Sequence, residues 1–419
     1  MENMSIHADA EDATDMTEDA REDATAAIAV TVTADADATD LKLKMKTAVV
    51  ILNWNTEGFL RKFLPVLLES VGKVEGAEVI VADNASTDGS YEMMQKVFPE
   101  VRTIRFESNL GFTGGYNRAF DILAESPDAP EYFLLINSDI EVTEDWLAPL
   151  TARMDEDPEC GACAPKLHSW QEREMFEYAG AAGGYIDRYG YPFCRGRILK
   201  MLETDHGQYD SPADVFWATG ACLLVRSKAY KDVGGLDSRF FAHMEEIDMC
   251  WKMQLRGWKI CIVPDSVVYH VGGGTLPVSS PFKLFLNYRN NLLMLDNNLA
   301  CTFAADEFRK GTSVEKAASR GIRKAGRIIF IRRCLDALSA AVYLATLHTD
   351  SFMAVWKAHK EYRRMTIRPT LLGITSHIMT YGNTIHVKGI YKRWIILQAL
   401  LKGRKLSGSI KEKDFIDKS

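Results

Sequence analysis

The sequence predicts a doubly wound α/β fold on a mostly parallel sheet, with a helical, basic extension behind it. Three observations carry this prediction. Short apolar runs alternate with helical patterns from Lys46 onward. One run, Phe133-Leu134-Leu135-Ile136, is apolar at every position, as a strand covered on both faces requires. Each of the first four strands ends in polar residues, and the carboxyl ends of parallel strands are where such sheets bind ligands.

The elements follow in order. Residues 48–52 form a first strand that stops at Asn53-Trp54-Asn55, and Phe59, Phe63, Leu67 and Leu68 share one side of the next helix. Residues 78–82 form a second strand, ending in Asp83-Asn84-Ala85-Ser86-Thr87-Asp88-Gly89-Ser90, which by composition is also ordinary turn chemistry. Ser90 is a candidate cap for a helix reaching Val97. Residues 102–106 are a third strand, 109–115 a glycine-containing loop and 116–124 a helix. The central strand, 133–137, delivers Asn137, Ser138 and Asp139 to the same edge. Thr143 is a reasonable cap for a helix over 144–154, and residues 160–215 predict long loops and short strands over the site. A strand at 221–225, a loop at 235–243, a helix at 245–254, strands at 260–263 and 267–270 and the run Gly272-Gly273-Gly274 close a domain spanning 46–280.

Charge is unevenly distributed. The formal net charge is -7, yet residues 1–40 hold twelve acids against one base, Arg21, and residues 309–419 hold 23 Lys and Arg against 7 Asp and Glu. The acidic start has no aromatics and cannot bury enough apolar area to order itself, so residues 1–45 are expected to be a disordered tail. The middle is acidic too. That does not suggest nucleic-acid binding and makes a divalent cation one way to admit an anionic substrate. Residues 281–419 are helical and basic, and suit an anionic membrane surface. The longest uncharged run in their most apolar part, 337–349, falls short of the roughly 20 residues a spanning helix needs. An amphipathic helix in the interface and a bundle packed on the catalytic domain both remain open. Eight irregularly spaced Cys suggest a reduced compartment, and the start lacks the apolar core of a signal peptide. The expected location is cytoplasmic, peripheral on the inner face of the plasma membrane.

The ordered set of motifs resembles glycosyltransferase family 2, the inverting enzymes of GT-A fold, and within it the rhamnosyltransferase-like branch. The matching residues are Val50 to Asn55, Val81 to Ser90, Asn109-Leu110-Gly111-Phe112 with Gly115 and Asn117, Asn137-Ser138-Asp139, Gly234-Gly235-Leu236-Asp237, Glu245-Glu246-Ile247-Asp248, and His270 with Gly272. A Gly-x-Gly-x-x-Gly fingerprint after the first strand, which a dinucleotide enzyme would carry, is missing.

The resemblance implies a role for each position. Asp83 would accept the imide N–H of uracil or thymine, favouring a UDP- or dTDP-sugar donor. Asn53, Asn55, Asp88, Asn109, Gly111, Asn117 and Asn137 would form the rest of the nucleotide site. Asp139 stands at the last acid of the family's Asp-x-Asp motif, which binds Mg²⁺ or Mn²⁺, and His270 at a position that joins the metal or diphosphate shell in some relatives. Trp217, Thr219 and Gly220 would line the acceptor side, with core packing of Trp217 an equal alternative. Inverting transfer needs one carboxylate to take the acceptor hydroxyl's proton. Glu246 is the first candidate, then Asp248, then Glu245; on a helix 245 and 248 share a face while 246 points elsewhere. Gln254-Leu255-Arg256-Gly257-Trp258 departs from the processive Gln-x-x-Arg-Trp signature, which implies transfer of a single sugar to a glycan or glycolipid acceptor. The competing readings are a nucleotidyltransferase and a non-catalytic nucleotide-sugar-binding homologue.

Overall fold

The computed structural model describes residues 45–272, 280–403, 406 and 409–416. The tail predicted over 1–45 lies outside them except for Met45, as do Gly273 and Gly274. From there β1 (Thr47–Asn53), α1 (Glu57–Val71), β2 (Ala77–Asp83), α2 (Ser90–Val97), β3 (Arg102–Arg105), α3 (Gly111–Ala124) and β4 (Tyr132–Ile136) follow the predicted alternation. β3, β2, β1 and β4 lie side by side in parallel, and pairing of Asn53 with Asp83 sets the ends of β1 and β2 level. Ala48 and Val50 face a core shared with Tyr116 and Phe120 of α3, whereas Val49 and Ile51 pack with Leu60, Leu64 and Leu67 of α1. Both faces are covered, so the strand is apolar throughout.

Three local expectations need correction. Residues 111–115 are the first turns of α3 and not a loop: Leu52 fills the space a Cβ on Gly115 would take, 2.6 Å away, so this glycine serves close packing. Ser90 is the first residue of α2 and not its cap; the cap position belongs to Gly89. Thr143 donates to the Val267 carbonyl at 2.9 Å instead of capping a helix that begins only at Leu147.

The second half of the sheet is mixed. In chain order come β5 (Ile140–Val142), α4 (Leu147–Glu156), β6 (Cys160–Ser169), the short strands β7 (Gly184–Asp187), β8 (Pro192–Cys194), β9 (Arg197–Ile198) and β10 (Met201–Leu202), then β11 (Ala213–Asp214), β12 (Cys222–Arg226), α5 (Ser227–Val233), α6 (Glu245–Gln254) and β13 (Lys259–His270). The sheet runs β11-β13-β6-β12-β4-β1-β2-β3, with β5 on β13. β12 is antiparallel to both β4 and β6, while β6 and β13 are parallel. The region 160–215 is therefore not all loop: its first ten residues form a buried strand of the main sheet. Residues 260–270 are likewise one strand with an irregularity between Val263 and Val267.

The C-terminal part comprises α7 (Pro281–Arg309), α8 (Val314–Ala345), α9 (Thr349–Met365), α10 (Leu371–Tyr381), β14 (Ile390–Tyr391), α11 (Ile395–Lys402) and β15 (Phe415–Ile416). Leu292, Leu293 and Leu295 of α7 share a core with Trp251 of α6, and β14 pairs with β7 in a second, smaller sheet. Residues 281–419 are thus joined to the preceding domain through a common core. Among the described residues no helix is long and apolar enough to cross a membrane.

Candidate active site

The ends of β1 and β2 are tied together. Asn53 Nδ2 donates to Asp83 Oδ1 and to Ser86 Oγ, both at 2.9 Å, and Asp83 Oδ2 accepts the Ser86 amide at 3.1 Å. Thr56 donates to Asn53 Oδ1 at 2.5 Å, so this fully buried amide braces the edge. Each oxygen of Asp83 accepts one of these bonds and has capacity for another. Asn55, at φ 55°, accepts the Thr87 amide at 2.7 Å. Asp88 accepts the amides of Glu57 and Ser90 at 2.9 and 3.0 Å, a carboxylate serving the N-termini of α1 and α2 together. Asn84, which sequence reasoning passed over, donates to Asn109 Oδ1 and accepts the Leu110 amide, both at 2.9 Å, holding the loop before α3 against β2. Asn117 points elsewhere: it donates to the Leu236 carbonyl at 2.8 Å and accepts the Leu236 amide at 3.0 Å, bracing the turn after α5.

Past the end of β4, Asp139 is buried beside His270 at the end of β13. Their Oδ1 and Nε2 lie 3.2 Å apart, and the Gly272 amide donates to Oδ2 at 3.2 Å. Burial opposes ionisation of Asp139, yet the hydrogen bond and charge of His270 outweigh it and hold the carboxyl below its ordinary range. Burial likewise opposes protonation of His270, but Asp139 on one side and Glu177 on the other raise it to about 10. Glu177 Oε1 stands 3.5 Å from His270 Nδ1. It lies in the stretch predicted as loops, which is why it was missed. Asn137 Nδ2 is 3.5 Å from His270 Nε2.

These residues suit a hard divalent cation. Asp139 offers a carboxylate oxygen, His270 offers an imidazole nitrogen once a cation displaces its proton, and Glu177 behind the ring is a carboxylate of the kind that orients a ligating histidine. Among the described residues no group of three or more His, Cys, Asp or Glu could hold a metal unaided. Further ligands would have to be diphosphate oxygens and water, as Mg²⁺ ordinarily takes them.

The candidate base lies on a strained support. Phe241, His243 and Met244, just before α6, have φ of 64°, 70° and 73°. For residues other than glycine this costs about 1–3 kcal/mol each and collects at functional sites. The Phe241 ring comes 2.6 Å from where a Cβ on Gly111 would be, so the α3 loop and the base loop interlock only because Gly111 has no side chain. Glu245 is buried and Glu246 half-buried, and one carboxylate oxygen of each is buried without a partner among the described residues. Burial raises Glu246 to about 7, and burial with the neighbouring Glu246 charge pushes Glu245 well above the usual carboxylate range. Asp248 differs. Its Oδ1 accepts from Asn297 and Asn298 at 2.9 and 2.7 Å and its Oδ2 pairs with Lys252 at 2.6 Å, so it anchors α6 to α7 and is not free to act as the base.

The acceptor-side candidates separate. Trp217 is core: its Nε1 donates to the Tyr185 carbonyl at 3.1 Å and its ring occupies the space over Gly184. Thr219 is buried and accepts the Ala221 amide at 3.2 Å. Gly220 does reach the site, since a Cβ there would lie 3.4 Å from the Phe112 ring and 3.6 Å from Glu246 Cβ. The next residue, Ala221, accepts the Asn137 amide at 2.9 Å. Glu246 therefore stands beside the strand end that carries Asn137 and Asp139, more than a hundred positions away in sequence.

Residues 48–234 match the model for glycosyl transferase family 2. The chain is 28% identical over 235 residues to the N-acetylglucosaminyl-diphospho-decaprenol L-rhamnosyltransferase of Mycobacterium tuberculosis, covering 53% of this chain and 75% of that one. It is 22% identical over 221 residues to rhamnosyltransferase WbbL of Escherichia coli, covering 52% and 80%. Among solved structures, GalNAc-T7 with UDP, GalNAc and Mn²⁺ superposes with a TM-score of 0.47 at 17% identity over 65% of this chain and 52% of that one, so this chain spans about half its length. Through residues 48–234 the chain is similar to glycosyl transferase family 2, with rhamnosyltransferase-like relatives, and this similarity supports a glycosyltransferase.

Proposed function

We propose that this enzyme transfers one sugar, with inversion, from a UDP- or dTDP-sugar to a hydroxyl of a surface-glycan acceptor carried on a lipid. The observation that carries the reading is the carboxylate of Glu246, one oxygen of which is buried without a partner among the described residues, held next to the strand end of Asp139 and raised by burial to about 7. A base works best when its pKa lies near the working pH, because it is then both ionised and basic enough. Glu246 would take the proton of the acceptor hydroxyl as that oxygen attacks the anomeric carbon from the face opposite the leaving diphosphate. Asp83 would receive the imide N–H of the pyrimidine, with Asn55, Asn84 and Asn109 shaping the edge around it. Asp139 and His270 would hold Mg²⁺ or Mn²⁺, which supplies charge neutralisation for the departing diphosphate. The lipid-linked acceptor is taken from the stated activity of the M. tuberculosis relative.

A donor panel in the presence of Mn²⁺, read as thermal stabilisation, tests this, since a ligand that binds only the folded chain raises its melting temperature. UDP-glucose, UDP-N-acetylglucosamine or dTDP-rhamnose should stabilise more than GDP-mannose, and free UDP or dTDP should accumulate only when acceptor is added. Preference for GDP-mannose overturns the pyrimidine assignment. Nucleotide release with sugar phosphate as co-product favours a nucleotidyltransferase.

The C-terminal helices support a peripheral position on an anionic membrane at its cytoplasmic face. Leu338, Val342, Leu347, Trp356, Leu372 and Met379 are exposed in a region rich in Lys and Arg. Apolar side chains entering the interface and cations meeting headgroups are the two ingredients of such binding.

A further inference from the structure

We propose that Asn290, on α7 and outside the motif residues, is a positioning residue for the base: its side-chain amide holds the strained loop before α6 in the shape that presents Glu246. This rests on the reading of Glu246 as the base. Asn290 is fully buried, and its Nδ2 lies 2.9, 2.8 and 2.8 Å from the carbonyls of Phe240, Ala242 and His243. Arg289 adds contacts of 3.2 and 2.9 Å to the carbonyls of Arg239 and Phe240. On the opposite side the Phe241 carbonyl accepts the Phe112 amide at 3.0 Å. The loop is therefore gripped between α3 and α7, and its left-handed residues are the ones whose neighbouring carbonyls converge on Asn290. A loop of ordinary residues in this conformation relaxes when the groups that over-determine it are removed. Met244, the last of them, is the N-cap of α6 and stands two residues before Glu246.

The adjacent Asn291 provides a matched control. It is equally buried on α7, but donates to the Gly190 carbonyl at 2.7 Å and accepts from Arg332, away from the loop. Asn290→Ala and Asn291→Ala are compared in the full-length protein by amide exchange over residues 240–244, by affinity for UDP and dTDP, and by turnover of the best donor as a function of pH. Positioning predicts faster exchange over the loop in Asn290→Ala alone. It also predicts unchanged nucleotide affinity, a fall in kcat of roughly 10²-fold, and a kcat profile whose midpoint moves toward the ordinary carboxylate range as water reaches Glu246. Equal losses in both variants, or wild-type exchange and kcat in Asn290→Ala, overturn it. If the wild-type protein turns over no donor, the functional reading fails, and the exchange comparison still decides whether Asn290 holds the loop.

Discussion

Two acidic groups near the end of β4 are built in opposite ways. Asp139 is given partners: His270, the Gly272 amide and, behind the imidazole, Glu177. His270 and the Gly272 amide hold its carboxyl below the ordinary range despite burial. Glu245 is buried and Glu246 half-buried, each with one carboxylate oxygen left without a partner among the described residues, and there desolvation wins and raises both. The same side-chain chemistry thus yields a carboxylate held ionised by its partners at Asp139 and carboxyl groups raised by burial at Glu245 and Glu246. Environments that push carboxyl groups apart in this way assign their roles. The contrast also explains Asp248, which lies one helical turn from Glu245 but resembles Asp139 in being fully partnered.

The contrast can be broken experimentally, beginning with the largest effect. Asp139→Ala should cost on the order of 10⁴-fold in turnover and abolish any response to Mn²⁺, because among the described residues no other carboxylate pairs with His270 Nε2. Turnover that survives with its Mn²⁺ dependence intact would move the cation elsewhere. Glu246→Gln should lower kcat about 10³-fold while leaving donor binding alone. The same variant should melt a few degrees higher at pH 8. A carboxyl raised to about 7 in the fold, above its unfolded value, adds nothing unfavourable below the unfolded pKa. The cost of ionising it grows between the two values and is complete above 7. A lower melting temperature at pH 8 would mean that the ionised form has a partner. For the wild type, kcat should fall about tenfold per pH unit, reaching roughly 10²-fold between pH 7 and 5, as the base is protonated. A profile flat down to pH 5 would point to a carboxylate with partners. Smallest is Glu177→Gln, expected to weaken Mn²⁺ affinity about tenfold by loosening the imidazole, measured by titration of the wild type and variant with the metal.

Much of this molecule was readable from the chain because the information is local. The first four strands, the turn chemistry at their ends and the 245–254 helix follow from apolar runs, periodicity and punctuation, and the resemblance lay in residues clustered at those ends. The reading broke where a residue's meaning depends on what touches it. Gly115 looks like a loop glycine until Leu52 is seen against it. Asn117 and Asp88 carry bonds to a turn and to two helix ends that the sequence did not reveal. Trp217 turned out to be core. Glu177 and Asn290 carried no signal, the first in a stretch without clear periodicity and the second on a helix whose polar positions looked like interruptions. The matched family segment itself ends at residue 234, before the base helix, His270 and α7.

The order of amino acids alone determined the class of fold, the edge at which polar groups gather and the short list of acids able to do chemistry. Contacts between distant segments decided which acid holds a charge and which holds a proton. The physical reason is that ionisation depends on desolvation and on partners brought from α7, β13 and the segment after β6, and no local pattern encodes either.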